Sequence, residues 1–377
     1  MDASIGKRVR DRITENAQGR THREIAGAIG MTPDAFSRAL NGSRAFTAVE
    51  LVDLAQMLGT SSHWFVTGES DPFAVRVAGR HTFDHDLMSH QDVDWDDAER
   101  ILSDVALAYV QAFGNSPRVR VSHAVKRNAA RVRADLIDVG GKGFVRTLAE
   151  TVEKAFGIDV VRLAGVREGF ALDVVGHSAI IVGETGNWFY ENWSIAHELA
   201  HVLFGHLSEL GNRACDDPAA ERAANAFAAD LLLPETEVRR IDWTQITPSD
   251  LASFVWTAGV STDALRRRLA SLKISGSAAT TDLLQLKTQA LLRKHWVGNA
   301  DIDEITVRMQ EASARRFPDH LVAAHRIGVS SGLLGSATLA WMLGVDPSDL
   351  DSELAPSRES GDIHWLAREL GLSDEPS

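Results

Sequence analysis

The segment SIAHELAHVLFGH, residues 194–206, constrains the fold of this chain more than any other stretch. It places His197 and His201 four residues apart in an otherwise apolar run, with Glu198 between them. On an α-helix, residues four apart project from the same face, so both imidazoles can reach one metal ion. The segment therefore predicts a buried helix that carries two metal ligands.

A third ligand is predicted in the segment CDDPAAERAANAFAADLLLP, which follows the histidine helix. Asp217 can cap a helix that begins with proline, and Glu221 then lies one turn inside that helix. The spacing between His201 and Glu221 leaves room for a turn and a returning helix. His206 is the rival third ligand, but it would point nearly opposite to His201 if the first helix continued.

Two histidines, a glutamate and an open fourth position are typical of catalytic rather than structural zinc sites. The expected reaction is peptide hydrolysis, in which zinc polarises the scissile carbonyl and Glu198 accepts the proton of the attacking water. Asn225, four residues after Glu221, is expected to hold a ligand histidine by its other ring nitrogen. Tyr190 and His177 are the candidates for stabilising the oxyanion. A core helix with hydrogen-bonded histidines is the alternative interpretation.

These segments, together with the strand HSAIIVGE, resemble the ImmA/IrrE family of zinc metallopeptidases over roughly residues 125–240. The resemblance implies a gluzincin-like fold with Glu198 as the catalytic base. The zinc ligands that it implies are His197, His201 and Glu221. It also implies a protein substrate, because members of this family are known for cleaving helix-turn-helix repressors in stress and mobile-element control. The sequence departs from many members at Ala223, where they carry a second acid.

The N-terminal segment THREIAGAIGMTPDAFSRALNGSR predicts a helix, a turn at Gly30 and a second helix capped by Thr32. This pattern resembles the Xre/Cro family of helix-turn-helix DNA-binding domains, although His22 replaces a glutamine that often contacts phosphate in that family. The resemblance implies a double-stranded DNA operator as partner and a homodimer that reads two half-sites. The residues expected to contact bases and phosphates are Thr32, Asp34, Ser37, Arg38, Asn41 and Arg44. A protein-interaction module is the alternative.

Charge is distributed unevenly along the sequence. The whole chain has a net charge of −13, which argues against a protein covered in nucleic acid along its length. Met1 to Ala45 instead contains eight Lys or Arg against five Asp or Glu. A polyanionic partner would therefore meet the N-terminal block first.

The sequence predicts a cytoplasmic protein with no membrane partner. The N-terminal stretch MDASIGKRVRDRITENAQG is polar throughout, and no apolar run is long enough to span a bilayer. The single cysteine, Cys215, cannot form an internal disulfide, which fits a reducing compartment. We interpret Cys215 as a small buried hydrophobic residue.

The expected fold class is mainly α with a small antiparallel sheet, an α+β chain. The β-rich runs IDVVRLAG, GFALDVVG and HSAIIVGE supply the sheet, and helical periodicity dominates elsewhere. The predicted organisation is a helix-turn-helix domain at 1–69, a linker at 70–95, a gluzincin-like metallopeptidase domain at 96–240 and a helical region of unknown role at 241–377.

Two functions of different classes follow from these features. In the first, the chain is a DNA-binding transcriptional regulator with a zinc metalloendopeptidase that cleaves a repressor, an antitoxin-like partner or itself. In the second, it is a transcription factor whose peptidase-like domain is a non-catalytic sensor of zinc or a peptide. The intact Glu198 favours the first function, because a sensor needs no general base.

Overall fold

The computed structural model describes residues 5–16, 19–58, 60–69, 74–79, 82–84, 89–91, 95–114, 128–209, 217–299 and 301–354. The chain divides into two compact units, Met1–Ala314 and Arg315–Ser377. None of the helices in the described ranges is long and apolar enough to cross a membrane. Cys215 lies outside the described residues, so its predicted burial stays a prediction.

The N-terminal part of the first unit is all helical. Its helices are α1 (Ile5–Asn16), α2 (His22–Ala28), α3 (Pro33–Leu40), α4 (Ala48–Leu58) and α5 (Ser62–Thr67). Their apolar faces meet in a hydrophobic core of their own, which contains Phe36 and Phe65. Thr21 and Glu24 form a capping box at the start of α2, and Gly30 turns the chain into α3 at φ 70°.

A five-stranded sheet lies in the middle of the first unit. Its strands are β1 (Arg76–Gly79), β4 (Ile158–Leu163), β5 (Phe170–Val174), β6 (His177–Gly183) and β7 (Ser208–Glu209), in the order β4-β6-β5-β1-β7. The prediction of an α+β chain is confirmed, but the sheet is mixed rather than antiparallel. Strand β4 pairs in parallel with β6, and β6 pairs antiparallel with β5. Strand β6 thus lies between β4 and β5, although it follows both of them in the sequence.

Part of the predicted linker at 70–95 belongs to this sheet. Strand β1 pairs antiparallel with β5 and with β7. The same stretch also contains a separate two-stranded pairing of β2 (Thr82–Asp84) with β3 (Ser89–Gln91). Strand β1 could not be predicted from the sequence, because it has only four residues and no long alternating pattern. Its partner β5 also lies about ninety residues further along the chain, so no local signal relates the two strands.

Helices cover the sheet and extend the core. They are α6 (Trp95–Phe113), α7 (Ala129–Gly140), a 3₁₀ turn (Phe144–Thr147), α8 (Leu148–Phe156), α9 (Trp188–Phe204) and α10 (Pro218–Leu232). Ile180 and Val182 of β6 lie in one hydrophobic core with Ile195 and Leu199 of α9. The histidine helix is therefore packed against one face of the sheet.

The helices after residue 240 continue the same core up to residue 314. They are α11 (Glu235–Val238), α12 (Pro248–Ala258), α13 (Thr262–Ser271), α14 (Ala278–Leu284), α15 (Thr288–His295) and α16 (Glu304–Ala312). Leu251, Leu265 and Leu291 are fully buried in the core that also contains α9 and α10. The compact unit thus ends well beyond the predicted boundary at 240, because these helices have no separate core.

The second unit contains three helices in its described part, up to residue 354. They are α17 (Asp319–Ser330), α18 (Ser336–Leu343) and α19 (Pro347–Leu354). Leu339, Ala340 and Leu350 form a small core between them. Gly344 ends α18 in the left-handed conformation at φ 69° and redirects the chain toward α19.

Candidate metal centre and DNA-contacting surface

Helix α9 carries the two predicted histidine ligands. Asn187 caps its first turn, because its side-chain oxygen accepts a hydrogen bond from the Tyr190 N–H at 3.1 Å. Gly205 ends the helix in the left-handed conformation at φ 73°. Most side chains between these ends are buried, so the histidine pair lies inside the domain rather than on its surface.

Helix α10 brings the predicted third ligand. Asp217 caps this helix by accepting a hydrogen bond from the Ala219 N–H at 2.8 Å, and Pro218 occupies the first helical position. The buried face of α10, which includes Phe227, packs in the same core as α9. The turn and second helix expected from the sequence are present, and Glu221 lies one turn inside α10.

The three predicted ligands converge on one point. The Nε2 atoms of His197 and His201 are 3.1 Å apart. Glu221 places Oε2 at 3.2 Å from His197 Nε2 and Oε1 at 3.2 Å from His201 Nε2. The His197 side chain is 0% exposed and the Glu221 side chain 15% exposed, so the cluster is shielded from water on most sides.

This spacing fits a tetrahedral zinc ion. Ligand atoms at bond lengths of about 2.0–2.1 Å around a tetrahedral ion are separated by about 3.3 Å. The observed separations of 3.1 and 3.2 Å come close to that value without any movement of the backbone. Two imidazoles and a carboxylate are also a donor set that zinc prefers. His197, His201 and Glu221 can therefore hold zinc, and the part of the chain that the structure describes adds no fourth side chain to this group.

The carboxylate of Glu221 is held in its charged form. Burial by itself would raise its pKa, but hydrogen bonds from His197 and His201 outweigh burial and hold the pKa well below its ordinary value. A charged carboxylate beside two imidazole nitrogens makes the cluster attractive to a cation.

The predicted base, Glu198, directly follows the ligand His197 in the sequence, and its side chain is fully buried. The loop between β4 and β5 approaches it closely. A Cβ atom added to Gly169 would lie 3.0 Å from Glu198 Cγ and 3.1 Å from Glu198 Oε1. Glycine at position 169 therefore leaves space for the Glu198 carboxylate. The close approach of this loop to Glu198 could not be predicted from the sequence.

We expect Gly169→Ala to slow the predicted peptide hydrolysis about tenfold, because the new methyl group displaces the carboxylate of the predicted base, Glu198, by a few tenths of an ångström. Zinc content measured by mass spectrometry should be unchanged. Gly143→Ala is the matched control, since a Cβ atom at Gly143 meets nothing within 4 Å. Equal activity of the two variants would show that Glu198 tolerates the methyl group.

His206 does not join the three ligand atoms, and the physical reason is the end of α9. The helix stops before His206, so this residue does not point to the opposite side as a continued helix would require. Its ring Nδ1 instead lies 3.2 Å from Nδ1 of His201. Burial, and then the neighbouring His201, lower the pKa of His206, which favours the neutral ring.

Asn225 does not occupy the position expected for it. Within the part of the chain that the structure describes, its side chain forms no hydrogen bond with His197 or His201. The nitrogen of His201 that faces away from the ligand cluster contacts His206 instead. The sequence held a signal for this arrangement, because a glycine directly after an apolar helix is a common helix end.

Tyr190, one oxyanion candidate, lies beside the loop that borders Glu198. Its hydroxyl is 3.1 Å from the carbonyl oxygen of Arg167 and 3.1 Å from Oε2 of Glu168. Both partners directly precede Gly169, so Tyr190 ties this loop to helix α9. Its role toward an oxyanion stays a prediction.

The structure does not bring His177, the other oxyanion candidate, to the ligand cluster. Ile180 and Val182 of β6 pack in the core with α9, and side chains alternate along a strand, so His177 belongs to the opposite face of the sheet. There its ring stacks on Phe113 of α6 at 4.3 Å. Strand alternation therefore separates His177 from the three ligands, and its role toward an oxyanion stays a prediction without support from this arrangement.

In the N-terminal helices, three of the predicted DNA-contacting residues are exposed without strong internal contacts. Asp34, Ser37 and Arg38 lie on the outer face of α3. Arg38 forms an exposed ion pair with Asp34 at 3.2 Å. Such a pair contributes little to stability, so the Arg38 side chain can exchange Asp34 for another anion at small cost.

The other three predicted contacts also serve the domain itself. Thr32 Oγ1 caps α3 by accepting from the Ala35 N–H at 3.2 Å. Asn41 Oδ1 accepts a hydrogen bond from Arg10 at 3.2 Å. Arg44 donates two hydrogen bonds to Glu50, at 2.9 and 2.8 Å, and these hydrogen bonds lower the pKa of Glu50 to about 2. Substitutions at these three positions would disturb the fold as well as any DNA contact.

Comparison with known proteins identifies one family match. Residues 155–270 match the model of the M78 peptidase family, described as the IrrE N-terminal-like domain. The matched range includes the whole of α9 and α10, and it supports the predicted resemblance for the peptidase domain. It begins after the N-terminal helices and extends past residue 240 into α13. No curated protein and no solved structure matches the chain.

Proposed function

We propose that the region matched by the family model is a zinc metalloendopeptidase domain. The observation that carries this proposal is the convergence of His197 Nε2, His201 Nε2 and the Glu221 carboxylate at distances of 3.1 to 3.2 Å. When bound, zinc would supply Lewis acidity toward the scissile carbonyl. Among the described residues, three side chains converge as ligands, which would leave a fourth position for water or substrate, as in catalytic rather than structural zinc sites.

Glu198 is the general base in this proposal. It follows His197 on α9, so its carboxylate is rotated beside the ligand pair rather than directed with it. This position lets Glu198 accept a proton from the attacking water and later pass a proton to the leaving amine. Glu198 is 0% exposed, so its burial limits the access of competing water to the carboxylate.

The substrate that we propose is a protein, either a helix-turn-helix repressor, an antitoxin-like partner or the chain itself. The test is incubation of the purified, zinc-loaded protein alone and with a repressor encoded next to its gene. We expect defined fragments on a gel and by mass spectrometry, and a chelator should prevent their formation. Zinc at close to one ion per chain without any cleavage would instead favour the sensor function.

We further propose that helices α1 to α5 bind double-stranded DNA, with the chain acting as a transcriptional regulator and homodimer. Two features of this domain support the proposal: a hydrophobic core of its own, and the exposed outer face of α3 after a tight turn at Gly30. A helix in this position of a helix-turn-helix unit enters the major groove.

Arg38→Ala is the sharpest test of DNA binding. We expect about tenfold weaker binding to the operator, because an arginine contact to a base or phosphate is lost while the hydrophobic core is untouched. Arg131→Ala removes the same charge from an exposed site on α7 and should leave binding unchanged. Fluorescence anisotropy at two salt concentrations measures both variants. Equal affinity for DNA would contradict the role of α3 as the recognition helix.

A further inference from the structure

We propose that His206 is a positioning residue that fixes the ring of His201 for metal binding. This inference rests on the zinc site proposed above, but it concerns a residue outside the ligand set. Gly205 adopts φ 73° at the end of α9, and the chain turns back so that the His206 N–H donates to the His201 carbonyl oxygen at 3.0 Å. This turn brings the two imidazole rings into a T-shaped contact.

With zinc bound at Nε2 of His201, the contact between the two rings would set which nitrogen of each ring carries the proton. His201 directs Nε2 toward His197 and Glu221, and its Nδ1 lies 3.2 Å from Nδ1 of His206. A histidine that binds a metal through Nε2 carries its proton on Nδ1, and that N–H requires an acceptor. Nδ1 of His206 is the acceptor, with the proton of His206 on its own Nε2.

Aromatic packing holds His206 in this position. Its ring forms T-shaped contacts with the rings of His201 and Phe204, at centroid distances of 5.1 and 5.5 Å. Phe204 in turn contacts Phe227 of α10 at 5.5 Å. The same cluster therefore joins α9, which supplies two ligands, to α10, which supplies Glu221.

The arrangement separates the role of His206 from that of a ligand. Its Nδ1 approaches His201 from the side of the ring opposite to the Nε2 that faces the cluster. Loss of His206 would leave the three ligands in place but would free the His201 ring to rotate. Loss of such an orienting partner typically weakens metal binding 10- to 100-fold rather than abolishing it.

The experiment compares His206→Leu with His206→Asn in the full-length chain. Zinc dissociation constants are measured by competition with a chromophoric chelator, and the cobalt-substituted proteins are compared by visible absorption. We expect His206→Leu to bind zinc about 10- to 100-fold more weakly and to shift the cobalt spectrum. His206→Asn should remain within a few-fold of the wild type, because its side-chain oxygen can replace Nδ1 as the acceptor.

His63→Leu, a change in α5 of the N-terminal helices, is the control and should alter neither measurement. Wild-type affinity and an unchanged cobalt spectrum in His206→Leu would overturn the inference. Equal weakening in His206→Leu and His206→Asn would also overturn it, because packing rather than the hydrogen bond would then be responsible. Failure of the wild type to bind zinc or cobalt would overturn the proposed function itself. This outcome differs from those that overturn only the role of His206, so the two hypotheses can be tested separately.

Discussion

Glu198→Gln is expected to reduce peptide hydrolysis by about 100-fold to 10,000-fold while zinc binding and the fold are retained. The amide has nearly the same shape as the carboxylate, so it fits the space beside Gly169. It cannot accept the proton of the attacking water, and no ligand atom is removed. The measurements are the rate of substrate cleavage, the zinc content by mass spectrometry and the circular dichroism spectrum.

Glu184→Gln is the matched control for this prediction, because Glu184 lies after strand β6 and belongs to neither the ligand set nor the base. It should cleave at the wild-type rate. Retained cleavage in Glu198→Gln would mean that another group acts as the base. Loss of zinc in the same variant would mean that Glu198 belongs to the ligand set, contrary to the geometry of the three converging side chains.

The local features of the metal centre could be predicted from the sequence. The i, i+4 histidine pair needs only a helix, and Asp217 with the following proline predicts the start of the helix that carries Glu221. Both signals depend on residues within one or two turns. The structure therefore contains the expected helices, and it brings the three side chains together.

Features that depend on distant contacts could not be predicted. Pairing of β4 with β6 in parallel, and of β1 with β5, joins segments that no local pattern relates. The approach of Gly169 to Glu198 likewise depends on the path of a loop over a helix. His206 is an intermediate case, because Gly205 signals the helix end but not the ring that His206 then meets.

The zinc-dependent stability of the protein is expected to disappear in Glu221→Ala. A ligand that binds only the folded state raises the free energy of unfolding, by about 4 kcal/mol when its concentration is a thousand times its dissociation constant. Wild-type protein should therefore show a higher melting temperature with zinc than with a chelator. Glu221→Ala should melt at the same temperature in both conditions, because only two imidazoles remain to bind the ion.

Two comparisons make this last prediction specific to the ligand set. Glu235→Ala removes an exposed acid of α11 whose ion pair with Arg239 contributes little, so it should keep the full stabilisation by zinc. His206→Leu should keep part of the stabilisation, since it weakens binding without removing a ligand. Differential scanning calorimetry with and without zinc ranks the three variants. If Glu221→Ala and His206→Leu lose equal stabilisation, then Glu221 is not the third ligand, because a ligand must contribute more to binding than the residue that orients another ligand.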